Sequence, residues 1–215
     1  MASAAAMPET KDPSRRSSPT GTLDALNFFL ADVRDGLGPY FAIYLLVVRG
    51  PSYGWNEATV GLVLTIAGIV GLVSQTPAGG LIDRARNKPR IVVAAALLVT
   101  LSSLSLPIVS GFTMVTITQS IAAAAGAIFA PAISAISLGL VGPKLFAKRV
   151  GRNEAFNHAG NATSAALAGV LAWSFGPVVV FWLMAGLTVA SVIVSARLNN
   201  DDIDNAVARG LDCEP

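Results

Sequence analysis

The chain has 215 residues, 53% of them hydrophobic and only 13% charged, with a mean hydropathy of +0.62. An ordinary soluble domain carries about twice that charged fraction, so the composition excludes one and indicates an all-α integral membrane protein in contact with the lipid bilayer. The net charge of +2 gives no reason to expect a nucleic-acid partner, and a single cysteine, Cys213, excludes a disulfide framework.

The first 23 residues are polar, and no apolar run follows their basic residues. They read as a disordered cytoplasmic tail and not as a secretory signal. Six apolar spans follow, near 26–48, 58–79, 91–109, 113–141, 155–175 and 178–197. Together they make a transmembrane bundle over 24–198. The fourth span is long and is expected to bend at Pro131. Residues 199–215 form an acidic tail.

The first span carries Asp32, Arg34 and Asp35. Three charges near a helix centre cost about 8 to 10 kcal/mol on an insertion scale, and its Leu, Ile, Phe and Val residues return only about 4 to 7. These charges are therefore expected to face partners or water inside the bundle, where ionisable residues mark function. Asp32 and Asp35 are three apart and share a face, whereas Arg34 points roughly 200° from Asp32 and is expected to meet another helix. Two carboxylates near a cation can take up and release a proton or cation. Gly36, Gly38 and Pro39 can loosen the helix there. The alternative is a set of ion pairs that only holds the bundle together.

Positive charge orients the spans. Thirteen of the 15 Lys and Arg residues fall in the N-terminal tail, in 80–90, in 142–153 and after the last span; the other side has only Arg49. Both termini are thus expected in the cytoplasm, with the chain in the cell (inner) membrane. Small residues four apart, Ala67 with Gly71 and Ala122 with Gly126 and Ala130, give faces on which helix backbones can approach closely. The fifth span opens with Asn153, Asn157 and Asn161 at four-residue spacing, a polar stripe able to face a central cavity. Glu154 and His158 lie on the adjacent face. His158 is the only histidine and a proton-relay candidate, against a plain structural role. Gln75 and Gln119 are weaker candidates. There is no nucleotide-binding loop, metal-ligand spacing or nucleophile with a base, so no enzyme and no cofactor are expected.

Between the second and third spans lies G-G-L-I-D-R-A-R-N-K-P-R, residues 79–90. Here the sequence resembles the major facilitator superfamily of secondary transporters, whose signature in this loop is G-x-x-x-(D/E)-(R/K)-x-G-x-(R/K)-(R/K). Gly79, Asp83, Arg84 and Lys88 match; Arg86 stands in place of the second glycine, and Pro89 interrupts the closing basic pair. The resemblance implies that this loop gates the cytoplasmic side, with Gly79 allowing close helix packing. It also implies that the six spans form one half of a twelve-span bundle, itself a 3+3 inverted repeat. The expected function is secondary transport of a small solute, coupled to a proton or cation. The substrate or ion would meet Asp32, Arg34, Asp35, Asn157, His158 and Asn161. As an N-terminal half, the chain would need a second six-helix half or a homodimer partner. A scaffold, a regulatory subunit or an inactive truncation product is the competing reading. The arginine and glycine patterns of the drug-antiporter branch are missing from the fourth and fifth spans.

Overall fold

A computed structural model describes residues 18–35 and 37–210; the side chains of Asp35 and Pro39 lie outside that description. Among the described residues the chain is helical and has no strand. Three stretches are long and apolar enough to cross a membrane: Glu57–Arg84, Phe112–Phe175 and Val179–Ala196.

Helix α1 is Pro19–Asp35. It starts inside the expected 1–23 tail, because Ser18 accepts the Gly21 N–H through its hydroxyl and Pro19 is suited to the first helical position. The rest of that tail, 1–17, lies outside the described residues. The helix breaks where G-L-G-P loosens it: Leu37 has φ +64° and Gly38 φ +44°. The path resumes as α2, Gly38–Ile43, then a π-helical turn, Tyr44–Arg49, and α3, Gly50–Tyr53.

Helix α4, Glu57–Arg84, opens on a reciprocal cap between Asn56 and Thr59. Helix α5, Lys88–Leu104, opens on Asn87, which accepts the Arg90 N–H. Helix α6, Phe112–Gly126, and α7, Phe129–Phe175, are separated just before Pro131. A proline there cannot donate to the Ala127 carbonyl, which explains the bend expected at this point.

The fourth and fifth spans connect at a single residue, Gly142. Only Gly142 leaves helical geometry (φ 72°, ψ 173°), and Pro143 restarts the helix at once, so Pro143 to Asn153 is helical and continues into the fifth apolar span. Ser137 and Asn153 hydrogen-bond at 2.7 Å, so the stretches of α7 before and after Gly142 lie side by side. Helix α8 is Val179–Ala196. Beyond it come two 3-10 turns, Asn200–Asp202 and Val207–Arg209, and the second packs on α7.

Helix α1 packs mainly on α7 and α8; α4 packs on α6, and α5 on α6 and α8. Leu26, Leu30 and Val33 of α1, Phe129 and Ile136 of α7, and Phe181 and Met184 of α8 share one buried core. The outer surface is also apolar: Leu72, Leu101, Trp173 and Trp182 are exposed. So broad an apolar exterior suits lipid or another apolar partner better than water.

Candidate functional site: two cavities flanking a broken helix

The charges of α1 separate onto two sides. Asp32 lines a cavity of about 390 Å³ between α1–α2, the second half of α7 and the start of α8, with Asn161 in the same wall. Tyr40 and Leu37 come from the helix break, and Ala168 and Ala172 from α7. Arg34 lines a second space of about 630 Å³, together with Gln75, Gly71, Gly126 and Pro131. As expected, Arg34 meets another helix: its guanidinium lies 3.9 Å from Glu154 of α7. Asn157 is buried beneath this pair and donates to the other Glu154 oxygen at 3.4 Å.

The asparagine stripe therefore divides. Asn161 faces the first cavity, and Asn157 supports Glu154. Asn153 belongs to a third site, described below. His158 is exposed and lines neither cavity. Asp35 ends α1, and its side chain lies outside the described ones. Gln119 is buried in α6.

At the end of the bundle that carries the basic residues, α1 and α7 are joined by a buried polar network of which the sequence singled out only Asn153. Asp24 accepts from Arg149 at 2.5 Å and from the Arg152 Nε at 2.9 Å. Arg149 Nε also donates to Asn153 at 2.8 Å. Asn153 in turn donates to Ser137 at 2.7 Å and accepts from Asn27 at 3.2 Å. Arg149 with Asn153, four residues on, could have been read as an i,i+4 pair. Asp24 sits at the tail boundary, where nothing in the sequence marks it as buried.

Below this network α1 and α7 almost touch. A Cβ on Gly160 would overlap the Phe28 carbonyl and lie 2.9 Å from the Ala31 Cβ. On the other flank Gly71 packs on α6 at Ala123, beside the expected Ala122: a Cβ on Gly71 would lie 3.4 Å from the Ala123 Cβ. The signature loop is different. Among the described residues nothing lies within 4 Å of a Cβ placed on Gly79, so that glycine is not required here by close packing. Asp83 and Arg84 are exposed. Lys88 is fully buried and donates to the Ala85 carbonyl at 3.2 Å and to Asn205 at 2.8 Å. Burial lowers the Lys88 pKa; Arg209 lowers it further, and Asp83 opposes the shift.

On the opposite side, Arg49 donates to the carbonyls of Leu106 and Pro107, capping the end of α5. Trp55 donates to the Ser110 carbonyl at 3.1 Å.

An all-helical bundle with an apolar exterior, and with charges turned into internal cavities, defines an integral membrane protein. The model of the Major Facilitator Superfamily matches residues 24–208, and the chain belongs to that family. It is also 50% identical over 193 residues to two proteins described as uncharacterized MFS-type transporters, from two strains of Mycobacterium tuberculosis. The match covers 90% of this chain and 45% of each relative, so the chain spans about half the length of the curated relatives it matches.

Proposed function

We propose that this chain supplies a six-helix unit of a secondary transporter for a small solute, in the cell (inner) membrane with both termini cytoplasmic. The unit works with a second six-helix half or with a second copy, and has no enzymatic role. The observation that carries this reading is the position of Asp32. It lies on a helix that breaks one turn later, in a cavity it shares with Asn161 of α7. A carboxylate is costly in an apolar bundle and is tolerated where it can meet a solute, ion or water.

In this reading Asp32 and Asp35 take the coupling proton or cation. Arg34, Glu154 and Asn157 link the same segment to α7 across the other flank, and His158 would relay protons from its exposed position beside Asn157. Gly79, Asp83, Arg84 and Lys88 gate the cytoplasmic side. Support for a latch there comes from Lys88, which ties the loop to the segment after α8.

The test is gradient-driven uptake across a panel of small solutes, with the full chain in proteoliposomes, alone and with a co-expressed second half. Asp35→Asn and Asp32→Asn are expected to abolish accumulation while the protein stays folded in the membrane. Wild-type accumulation in both variants would remove the coupling role. No movement of any solute in any format would favour a scaffold or an inactive product.

A further inference from the structure

We infer that a cavity between the start of α5 and the end of α8 holds the headgroup of an aminophospholipid, with its phosphate on Arg90 and its ammonium at Asn200. This cavity shares no residue with the two described above, and the inference does not depend on solute movement.

The argument starts from where the cavity lies. It measures about 450 Å³, within the range of small-molecule sites. One wall is the beginning of α5, with Arg90 and Val93; the other is the end of α8 and the turn after it, with Val192, Ala196 and Asn200. The two walls are pinned together, because the buried Ser195 hydroxyl donates to the Pro89 carbonyl at 3.3 Å. The apolar part of α5 begins just after Arg90, and α8 ends at Ala196. The cavity therefore sits where both spans run out, at the level of lipid headgroups. Away from that end the same two helices pack on each other and turn apolar side chains outward: Leu97 and Leu101 of α5, Val189 and Ile193 of α8. Val93, Leu97 and Leu101 share one face of α5 at four-residue spacing. Acyl chains attached to a headgroup in the cavity would have an apolar surface to follow.

The polar groups of the wall select the headgroup. Arg90 is exposed and, among the described residues, takes part in no ion pair. A guanidinium presents a planar fork of donors that suits a phosphate. Asn200 offers the opposite. Its Oδ1 is buried and accepts no hydrogen bond among the described residues. A buried acceptor left unpaired is costly, so a donor is favoured there. Asp201 and Asp202, one and two residues on, are exposed carboxylates that favour a cation beside Asn200 and disfavour an anion. The cavity is thus positive on the α5 side and negative after α8. A phosphoethanolamine headgroup matches both ends, with an anionic phosphate and an ammonium that keeps N–H donors. A choline headgroup has the same charges and no N–H. A glycerol headgroup has O–H donors but brings only negative charge to the two carboxylates. A free phosphate ion would use Arg90 alone.

The experiment is native mass spectrometry of the full chain, delipidated in non-ionic detergent and titrated with dioleoyl lipids. The probes are phosphatidylethanolamine, its N,N-dimethyl derivative, phosphatidylcholine, phosphatidylglycerol and the soluble headgroup glycerophosphoethanolamine. The first two keep an N–H and should bind saturably with similar affinity. Phosphatidylcholine should bind roughly tenfold or more weakly. Arg90→Gln should weaken phosphatidylethanolamine by a similar factor. Asn200→Leu should bring it down to the phosphatidylcholine level and leave phosphatidylcholine unchanged. Lys144→Gln, at an exposed basic residue outside the cavity, should change nothing. Equal binding of phosphatidylethanolamine and phosphatidylcholine would mean that water satisfies Asn200 and would overturn the inference. So would preference for phosphatidylglycerol, or unchanged affinity in Arg90→Gln. Glycerophosphoethanolamine binding as tightly as the whole lipid would assign the cavity to a soluble phosphate ester instead. The methylation series is read on the unaltered protein, so it decides the matter even where a variant fails to fold.

Discussion

Gly160 of α7 lies directly against the backbone carbonyl of Phe28 in α1, with no room between them for a Cβ. The contact lies one turn from Asp32 along α1 and one residue from Asn161 along α7. It therefore sets how far apart the two walls of the first cavity stand. Gly160→Ala should force α1 and α7 apart and cost about 1 to 3 kcal/mol, as overpacking does. Thermal unfolding in detergent should show the loss. Gly169→Ala is the control, because nothing lies within 4 Å of a Cβ there among the described residues. Equal stability of the two variants would show that the helices separate without cost.

The ion pair of Asp24 and Arg149 is buried on both sides, with side-chain exposures of 7% and 4%. Removing one partner of such a pair leaves an uncompensated charge and costs about 3 to 5 kcal/mol. Asp24→Asn and Arg149→Met should each fall in that range. Arg152 also contacts Asp24, but its side chain is 60% exposed. Arg152→Met should change stability much less than either, because solvent screens an exposed partner. A double-mutant cycle of Asp24 with Arg149, compared with one of Asp24 with Arg152, separates the two contacts. Equal coupling energies would contradict the burial argument.

Both results bear on what the residues alone disclose. The membrane class was legible because apolar runs and basic clusters are one-dimensional signals. The break in the first helix was legible in G-L-G-P, and the reach of Arg34 to another helix followed from its angle to Asp32. The Asp24 network was not legible. It depends on a helix restarting at Pro143, directly after Gly142, and on the basic stretch there being helical. Once that segment is helical, Arg149 and Asn153 fall on one buried face. Gly160 was hidden for a different reason. A glycine in a helix rich in small residues looks like its neighbours until the facing backbone is known. Gly79 erred in the opposite direction: a signature position carried an expectation of close packing, and the neighbouring atoms do not supply it.

Lys88 provides a pH dependence. Its ammonium is buried at the start of α5, ahead of that helix's apolar part, and its pKa lies below the ordinary 10.5, first through burial and then through Arg209. The folded state therefore binds fewer protons than the unfolded chain between the lowered value and 10.5. Stability should rise with pH across that window and stay level below it. Lys88→Met should remove this slope. Asp83→Asn should widen the window downward, since Asp83 opposes the shift. Unfolding midpoints measured from neutral pH to above the ordinary lysine value check both, and a slope that survives in Lys88→Met would assign it to another group.

The segment after α8 depends on Gly139 for its seat. A Cβ at that position would lie 2.7 Å from the Ile203 side chain and 2.8 Å from the Asp204 carbonyl oxygen. The Asp204 N–H donates to the Gly139 carbonyl at 3.0 Å, and Ile203 and Ala208 are buried against the bundle. Two accommodations of an added methyl are open: α7 shifts, or the segment lifts. The segment is the weaker side. It is short, its Arg209 and Gly210 are exposed, and Asn205 ties it to Lys88. α7 packs more on α1 than on any other element. Gly139→Ala should thus lift the segment and leave the bundle intact. Hydrogen exchange at the Asp204 amide should speed up by roughly tenfold or more, with the amides of α1 unchanged. Gly151→Ala, where the space is open, should do neither. If exchange at Asp204 is unchanged in Gly139→Ala, the segment is held by contacts other than this seat. If the α1 amides exchange faster as well, α7 has moved in its place.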